Sequence, residues 1–455
     1  MRVHFIAIGG SAMHNLAIAL HLKGFTVSGS DDEIFNPSKS RLEKHNILPK
    51  EWGWFPEKIN TDLDAIILGM HARIDNPELL KAQELGLKIF SYPEYIYEQT
   101  KDKTRIVIGG SHGKTTTTSM VMHVLKENDI DFDYMVGAQI EGFETMVKLT
   151  KEAKIAIFEG DEYLSSPIDR RPKFHLYHPH IALITGVAWD HINVFPTFEN
   201  YVEQFETFTN LIQPNGSLIY FEEDEHIQKI LTKRRDDVNY IPYNTHPFRL
   251  ENNQTILTTD DNEFALEIFG EHNLQNLMGA YHICKSIGIK DLDFYQSIQN
   301  FSGAARRLQK LAESDNCSVF QDFAHSPSKL KATTEAVKKQ YQNRKLIACM
   351  ELHTFSSLKK EFLPHYKNTM SMADQAFVYF DPKTIEHKKL EPITSKQVEE
   401  AFGGTNLKVY INSDQLISDL LSIDFKNTNV LLMSSGNFTG VNLPQLAEKI
   451  IVNTK

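Results

Sequence analysis

A chain of 455 residues is too long for one ordinary hydrophobic core and predicts two to four domains, three being the expected number. Its 48 Lys and Arg against 59 Asp and Glu give a net charge of −11 without a basic tract, which disfavours a nucleic-acid-binding surface. The three cysteines lie far apart and predict neither a metal site nor a disulfide framework. No stretch resembles a signal peptide or a membrane span, so we expect a cytoplasmic protein.

The chain opens with the pattern of a strand, a glycine turn and a helix. Residues 3–8 predict the strand and residues 11–23 the helix, and a second strand at 25–28 leads to Asp31. This opening is Rossmann-like, but it reads AIGGSAM instead of GxGxxG. A nucleotide-binding turn and a turn without a ligand are therefore equally good interpretations of these residues alone.

Further βα units are predicted by LDAIILGM, PELLKAQELG and KIFSY, with a domain boundary near residue 101. One hypothesis for such a first domain is a dinucleotide-dependent oxidoreductase, in which Asp31 would hold the adenosine ribose. An enzyme of that kind needs no second phosphate-binding loop, so the hypothesis depends on the residues beyond this domain.

The stretch RIVIGGSHGKTTTTSM runs from an apolar strand through a glycine turn into a helix. Gly110 and Gly113 let the backbone turn with its N–H groups facing inward, and the helix start places the positive end of its dipole there. Lys114 adds a positive charge, and the hydroxyl of Thr115 or Thr116 is a magnesium ligand in such loops. The combination predicts a triphosphate site.

An apolar strand at 155–158 delivers Glu159, Asp161 and Glu162 to its end. Three carboxylates so close would repel one another unless a cation lies among them. The sequence therefore predicts a cation at this strand end.

The segment GGSHGKTTTT resembles the ATP loop of the Mur ligase family, the ATP-dependent amide ligases of peptidoglycan synthesis, and departs from GxxxxGK[ST] because Ile108 stands at the first glycine. The resemblance implies an α/β fold of three domains, with Rossmann-like N- and C-terminal domains around a central P-loop ATPase domain. The expected boundaries are 1–101 for the UDP-sugar-binding domain, 102–305 for the ATP-binding domain and 306–455 for the C-terminal domain. Such a second nucleotide loop argues against the oxidoreductase.

Two further motifs resemble the metal-binding motifs of that family. EGDE is similar to its EADE motif, which implies Glu159 as a Mg²⁺ ligand beside Thr115, and WDHIN is similar to its DH motif, which implies His191 as the ligand of a second Mg²⁺. Lys114, Glu159 and His191 are then the implied catalytic residues. Several Mur ligases place a carbamylated lysine shortly after this histidine, but residues 192–228 contain no lysine. In this the sequence resembles the ligases that act on UDP-N-acetylmuramate itself, whose pattern also lacks the lysine.

The resemblance also implies ligands for both nucleotides. Asn273 in GEHN would read adenine, although asparagine is also a strong helix N-cap, and Arg307, with Arg306 in reserve, would reach the phosphates. Arg73 could equally be a solvated surface charge. The implied ATP-binding residues are Gly110, Ser111, His112, Gly113, Lys114, Thr115, Thr116, Asn273, Arg307 and Asp322. The implied UDP-sugar-binding residues are Gly9, Gly10, Ser11, Ala12, Met13, Ser30, Asp31, His71 and Arg73.

Within the family the segment YLSSPIDRRPKFHLYHPH is similar to the murein peptide ligase branch, which joins UDP-N-acetylmuramate to L-Ala-γ-D-Glu-meso-diaminopimelate in peptidoglycan recycling. The branch that adds L-alanine is the alternative. The implied acceptor-binding residues are Arg170, Arg171, His325 and His353, and Ser326 departs from the family's HHP version of DFAHSP. Arg170 and Arg171 form either a wall for an anionic peptide or a solvated turn. The implied substrates are small molecules, with no nucleic acid or membrane.

Overall fold

The computed structural model describes residues 1–140, 142–189, 194–260, 262–404 and 406–452. The backbone divides into two compact units. The first comprises Met1–Asn244 and Asn276–Ser297, and the second comprises Thr245–Gln275 and Ile298–Lys455. Each unit contains its own α/β layers and is described separately.

The first unit begins with a four-stranded parallel sheet of order β2-β1-β3-β4. Its helices and strands are β1 (Arg2–Ile6), α1 (Ser11–Leu22), β2 (Thr26–Ser30), α2 (Ser38–Lys44), β3 (Ala65–Leu68), α3 (Pro77–Glu84), β4 (Ile89–Ser91) and α4 (Tyr92–Thr100), with a 3₁₀ turn at Pro56–Lys58. The βα units expected here are confirmed.

The first strand ends two residues earlier than its apolar pattern predicts. Ala7 has a left-handed backbone with φ +68°, and the N–H groups of Ala7 and Ile8 both donate to the carbonyl of Ser30, at 2.9 and 3.1 Å. The extended pairing cannot continue through such a turn, so β1 stops at Ile6 while β2 runs on to Ser30. The glycine turn is thereby brought against Asp31.

The same unit contains a seven-stranded sheet of order β11-β10-β9-β5-β8-β6-β7, parallel except for β7. Its elements are β5 (Thr104–Gly109), α5 (Lys114–Glu127), β6 (Phe132–Met135), β7 (Val147–Lys148), β8 (Ile155–Glu159), β9 (Ile181–Ile184), α6 (Phe198–Asn210), β10 (Ser217–Phe221), α7 (Glu225–Ile230) and β11 (Asn239–Tyr243), with a 3₁₀ turn at Lys173–Leu176. The central strand β5 is apolar on both faces, as a strand covered by helices on both sides requires. The carboxyl ends of β5, β8 and β9 therefore meet at one edge.

A buried arginine joins the end of α4 to the central sheet. Arg105 is 2% exposed, and its Nε and Nη1 atoms donate to five backbone carbonyls at 2.9–3.2 Å. Two of these carbonyls belong to Tyr177 and His178, and the other three lie between residues 100 and 103. The guanidinium also lies 5.0 Å from the ring centre of Tyr97. One side chain thus provides hydrogen-bond donors to the backbone carbonyls of two segments that are far apart in the sequence.

Helix α1 is attached to the central sheet by a second set of contacts. The backbone N–H of Met146, just before β7, donates to Asn15 Oδ1 at 3.0 Å, and Asn15 is fully buried. Arg41 of α2 donates to Gln139 Oε1 at 2.9 Å. These contacts explain why two sheets belong to one compact unit.

The second unit contains a three-stranded antiparallel sheet of order β12-β13-β14 and a six-stranded sheet of order β15-β16-β20-β17-β18-β19, parallel except for β15. In the chain they are β12 (Phe248–Glu251), β13 (Gln254–Thr258), β14 (Glu263–Leu266), α8 (Glu271–Ser286), α9 (Asp291–Ile298), β15 (Gln309–Ser314), β16 (Cys317–Asp322), α10 (Pro327–Gln340), β17 (Lys345–Glu351), β18 (Gln375–Tyr379), α11 (Pro382–His387), α12 (Ser395–Phe402), β19 (Leu407–Tyr410), α13 (Ser413–Leu421), β20 (Thr428–Met433) and α14 (Leu443–Val452). Residues 276–297 of α8 and α9 belong to the first unit.

Two local expectations for these segments are wrong. The sequence LIACMELH followed by residues 358–370 predicts a strand and a helix, but residues 358–370 contain only a 3₁₀ turn at Leu363–Tyr366, where Pro364 cannot donate a backbone hydrogen bond. Helix α8 begins at Glu271, so Asn273 lies inside its first turn and is not the N-cap. No helix formed by the residues in the described ranges is long and apolar enough to cross a membrane.

We predict that Arg105→Met lowers the free energy of unfolding of the first unit by about 3 kcal/mol or more, because it leaves several buried carbonyls without donors. All three tryptophans, Trp52, Trp54 and Trp189, lie in this unit, so urea unfolding followed by tryptophan fluorescence reports on it alone. Arg2→Met is the control, because Arg2 is half exposed and its ion pair with Asp62 should contribute less than about 1 kcal/mol. Equal losses in the two variants would contradict the role given to Arg105.

Candidate active site

The loop between β5 and α5 requires glycine at two positions. Gly110 has φ +126°, and a Cβ there would lie 2.1 Å from Thr185 Oγ1. Gly113 has φ +78°, and its Cβ would lie 2.1 Å from Asn276 Oδ1. No side chain caps α5 after Gly113, so the first N–H groups of the helix remain available for an anion.

Lys114, the first residue of α5, lies folded back over this loop. Its Nζ donates to the carbonyl of Gly110 at 2.6 Å and to both carboxylate oxygens of Glu162, at 2.7 and 3.0 Å. Burial lowers the pKa of Lys114, but the charges of Glu162 and Asp161 and the hydrogen bonds to Glu162 outweigh it, so the pKa lies above its usual value. The ammonium is therefore held charged at the mouth of the glycine loop.

Thr115 and Glu159 present oxygen atoms to each other beside Lys114. The Thr115 hydroxyl donates to Glu159 Oε1 at 2.8 Å, and the N–H of Gly137 donates to Oε2 at 2.8 Å. A hydroxyl and a carboxylate next to a phosphate loop are the hard oxygen ligands that Mg²⁺ prefers, so these two residues fit the ion. Among the described residues, no group of three or more His, Cys, Asp or Glu side chains is arranged to hold a metal.

The acids at the end of β8 each contact a neighbouring group of the protein. Asp161 binds Lys173 at 2.6 Å, Glu162 binds Lys114, and Glu159 accepts from Thr115. Two lysines therefore relieve part of their mutual repulsion, and a Mg²⁺ ion beside Glu159 stays a prediction.

The sequence did not single out Tyr201, which links several parts of the site. Its hydroxyl lies 2.9 Å from Ser111 Oγ and 3.4 Å from Glu162 Oε1, and Tyr201 is fully buried on α6. Ser111 Oγ also accepts from the N–H of Ala188 at 2.8 Å. The only sequence signal is the apolar spacing of α6, in which Tyr201 occupies a core position with Phe205 and Phe208.

The remaining residues predicted around the loop have different outcomes. His112 Nδ1 lies 2.8 Å from the carbonyl of Ser111, and the His112 carbonyl accepts from Thr185 Oγ1. Thr116 is buried in the first turn of α5. His191 lies outside the described residues, so its role as a metal ligand stays a prediction.

At the start of α1 the structure brings the predicted turn and Asp31 together. The N–H of Gly9 donates to Asp31 Oδ2 at 2.7 Å, and a Cβ on Gly9 would lie 2.9 Å from the same oxygen. Gly10 precedes the helix, whose first N–H groups are not capped by a side chain. Burial raises the pKa of Asp31 to about 6, although the hydrogen bond from Gly9 opposes the shift.

The other residues expected around α1 differ in exposure. Ser30 is fully buried, and its Oγ has no hydrogen-bond partner among the described residues. Ser11 is exposed, Ala12 is half-buried and Met13 is buried. This set combines an open helix start with one unsatisfied buried hydroxyl, an arrangement suited to a polar anionic ligand.

Beyond β3 the two remaining sugar-nucleotide candidates lie at the surface. His71 is exposed. Arg73 binds Asp75 through two hydrogen bonds, at 3.0 and 3.2 Å, and its side chain is 83% exposed. The solvated state of Arg73 is therefore the one observed, and ligand contact by either residue stays a prediction.

The basic segment after β8 is partly neutralised. Arg171 donates to both carboxylate oxygens of Asp169, at 2.6–3.1 Å, and binds Glu94 at 3.3 Å. Arg170 is exposed, and within the described ranges its side chain forms no hydrogen bond or ion pair. Arg170 is thus the guanidinium of this segment that remains available to an anion.

In the second unit, the carboxylate of Asp322 accepts from Thr333 Oγ1 at 2.8 Å and from the N–H of Ala324 at 3.1 Å. The Asn273 amide donates to the carbonyl of Phe269 at 2.8 Å. Asp322 and Asn273, both predicted to bind the nucleotide, therefore already form hydrogen bonds within the unit. Each side chain has further polar atoms that can accept or donate additional hydrogen bonds.

The two predicted phosphate-binding arginines and the two predicted acceptor-binding histidines lie beside aromatic rings, backbone carbonyls or a carboxylate. Arg307 lies 4.7 Å from the ring centre of Phe323, and Arg306 donates to the carbonyl of Gly436 at 2.6 Å. His325 Nδ1 is 2.8 Å from the Phe323 carbonyl. His353 Nδ1 lies 3.7 Å from Glu351 Oε1, with its side chain 40% exposed.

The parallel sheet and its glycine loop define an α/β protein of the P-loop class. Models of three family domains match in order: "Mur ligase family, catalytic domain" at residues 2–104, "Mur ligase middle domain" at 108–284 and "Mur ligase, glutamate ligase domain" at 306–436. The UDP-N-acetylmuramate–L-alanine ligase of Limosilactobacillus reuteri is 31% identical over 390 residues, covering 82% of this chain and 84% of that protein. The chain therefore belongs to the Mur ligase family, whose members are ATP-dependent, ADP-forming amide ligases, and the oxidoreductase alternative is set aside.

Solved structures agree on the fold over nearly the whole chain. The UDP-N-acetylmuramate–alanine ligase from Thermotoga maritima aligns with a TM-score of 0.70 at 20% identity, covering 99% of this chain and 98% of that one. A murein peptide ligase from Psychrobacter arcticus aligns with a TM-score of 0.64 at 22% identity, covering 100% and 98%. At this level of identity the likeness establishes the three-domain architecture and nothing about the acceptor.

We predict a pH-dependent stability centred on Asp31. The folded protein holds this proton more tightly than the unfolded chain, in which the pKa is near 3.8, so the free energy of unfolding should fall as pH rises from about 4 to about 6 and then level off. Asp31→Asn should remove this fall, while Asp32→Asn should only reduce it, because burial is the largest cause of the raised pKa and the side chain of Asp32 contributes to it as well. Urea unfolding at a series of pH values measures both, and identical profiles for wild type and Asp31→Asn would refute the shift.

Proposed function

We propose that the chain joins the lactyl carboxylate of UDP-N-acetylmuramate to the amine of L-Ala-γ-D-Glu-meso-diaminopimelate, using ATP, in cytoplasmic peptidoglycan recycling. The observation that carries the ATP part is the charged Lys114 ammonium over a glycine loop, beside the paired oxygens of Thr115 and Glu159. The likeness to relatives whose names specify UDP-N-acetylmuramate supports the sugar nucleotide.

The proposed reaction has two steps. A carboxylate oxygen of the sugar nucleotide attacks the γ-phosphorus of ATP, and the bond between that phosphorus and the β,γ-bridging oxygen breaks. The products of this step are ADP and an acyl phosphate of the sugar nucleotide. The peptide amine then attacks the acyl carbon, inorganic phosphate leaves, and the amine loses its proton to solvent. Lys114 and the first N–H groups of α5 hold the phosphate charge during the first step. Mg²⁺, held by Thr115 and Glu159, would supply further neutralisation of that charge.

The start of α1 is the proposed site for the diphosphate of the sugar nucleotide. The uncapped N–H groups after Gly10 attract anions, and the Ser30 hydroxyl, which has no hydrogen-bond partner among the described residues, can bind a polar group of the ligand. Asp31 lies beside the same turn and can bind a ribose hydroxyl.

The acceptor has two candidates. The available guanidinium of Arg170 supports a peptide with free carboxylates, because guanidinium groups bind planar anions through paired hydrogen bonds. L-Alanine is the second candidate, favoured by the names of the relatives at about 30% identity. The tripeptide remains our proposal because the sequence after β8 resembles that branch.

We expect the double variant Lys114→Met with Glu162→Gln to lose ATP-dependent ligation by at least about a hundredfold in kcat/KM, because the positive charge at the phosphates is gone. Removing both partners avoids an unpaired buried carboxylate, so the fold should persist. The control is Lys148→Met with Asp131→Asn, an exposed pair in the same unit, which should keep near-normal rates. ADP release measures turnover, and a double variant that ligates normally would end the P-loop interpretation.

We expect wild-type protein to release ADP faster with UDP-N-acetylmuramate and the tripeptide than with UDP-N-acetylmuramate and L-alanine. Arg170→Ala should raise the KM for the tripeptide about tenfold and leave the KM for ATP unchanged, because only the peptide carboxylates lose a partner. Arg2→Ala, at an exposed position of the same unit, should change neither constant. Faster ligation of L-alanine by the wild type would favour the second candidate instead.

A further inference from the structure

Lys114 is bound to protein oxygens on two sides. Its Nζ donates to the carbonyl of Gly110 at 2.6 Å and to the carboxylate of Glu162, whose two oxygens lie at 2.7 and 3.0 Å and are close enough together to share one N–H. A phosphate that binds Lys114 must therefore compete with Glu162 for the charge of the ammonium. The Gly110 carbonyl is part of the loop backbone, whereas Glu162 holds Lys114 through its side chain.

Glu162 is built into the protein as a fixed carboxylate. Its side chain is fully buried, and Oε1 also lies 3.4 Å from the hydroxyl of Tyr201, which is itself buried. Tyr201 is held in turn by Ser111 of the glycine loop, at 2.9 Å. The carboxylate therefore keeps its place beside the phosphate site through contacts other than the lysine.

Resting on the proposed ATP site, we propose that Glu162 is a positioning residue that competes with nucleotide phosphates for Lys114. Without nucleotide, Glu162 compensates the buried ammonium and orders it over the loop. With nucleotide, the phosphates share that compensation, and the carboxylate, which stays in place, opposes them as a neighbouring like charge. The pair therefore stabilises the empty site and weakens nucleotide binding, which favours release of ADP after each turnover.

If Glu162 competes with phosphates, removing its charge should increase the affinity for ADP, whereas structural damage to the site would decrease it. Glu162→Gln keeps the shape of the side chain but removes the carboxylate charge that is bonded directly to the ammonium. We expect its Kd for ADP, measured by calorimetry in EDTA to exclude metal ions, to fall about tenfold below the wild-type value. The Tm of the free variant should decrease, while the rise in Tm on adding ADP should exceed that of the wild type.

Two further variants separate the charge from its surroundings. Glu162→Asp retains the charge but places it farther from Lys114, so its Kd for ADP should lie between those of the wild type and the Gln variant. This variant tests the competition even if Glu162→Gln fails to fold. Asp131→Asn removes an exposed carboxylate of the same unit that binds Lys148, and it should change the Kd by less than about threefold. ADP binding by Glu162→Asp or a folded Glu162→Gln that equals or is weaker than the wild type would overturn the competition. Absence of ADP binding by the wild type would instead overturn the proposed ATP site and this inference together.

Discussion

The register between two neighbouring parallel strands determines what the catalytic edge can contain. Ile108 of β5 pairs with Glu159 at the end of β8, and Gly109 pairs with Ile184 at the end of β9. Because parallel strands end at the same edge, the glycine loop, the acids after β8 and the turn after β9 emerge side by side. A shift of one residue in β8 would turn Glu159 to the opposite face of the sheet. The pairing of Thr115 with Glu159 thus depends on the apolar strands beneath it.

Much of the fold follows from patterns that are local in sequence. The buried parallel strands are continuous apolar runs bounded by glycine or polar turns, and α1, α5 and α6 follow such strands at the expected spacing. The antiparallel sheet β12-β13-β14 was not predicted, because β12 is mostly exposed and its strands are short and rich in polar residues. The early end of β1 also depends on a distant partner, since it is the Ser30 carbonyl that captures two N–H groups.

The candidate site divides in a similar way. Glycines with positive φ and a lysine at a helix start can be recognised from their order in the chain, since backbone geometry imposes them. The partners of these residues cannot be recognised from the sequence, because Glu162 lies 48 residues from Lys114 and Tyr201 lies 90 residues from Ser111. Which of three acids meets which cation depends on packing after the strands have paired. The burial that raises the pKa of Asp31 likewise exists only once the fold brings the turn at Gly9 against it.

The attachment of α1 through Asn15, together with the clamp formed by Arg105, gives the first unit a property that no single residue carries. The start of α1 and the glycine loop are held at a fixed separation, because the elements that carry them are connected by buried hydrogen bonds. A ligand bound by its phosphates at the start of α1, as proposed above, would reach the glycine loop only if its length matched the separation between the two sites. Such selection by length would not require a side chain that recognises the middle of the ligand.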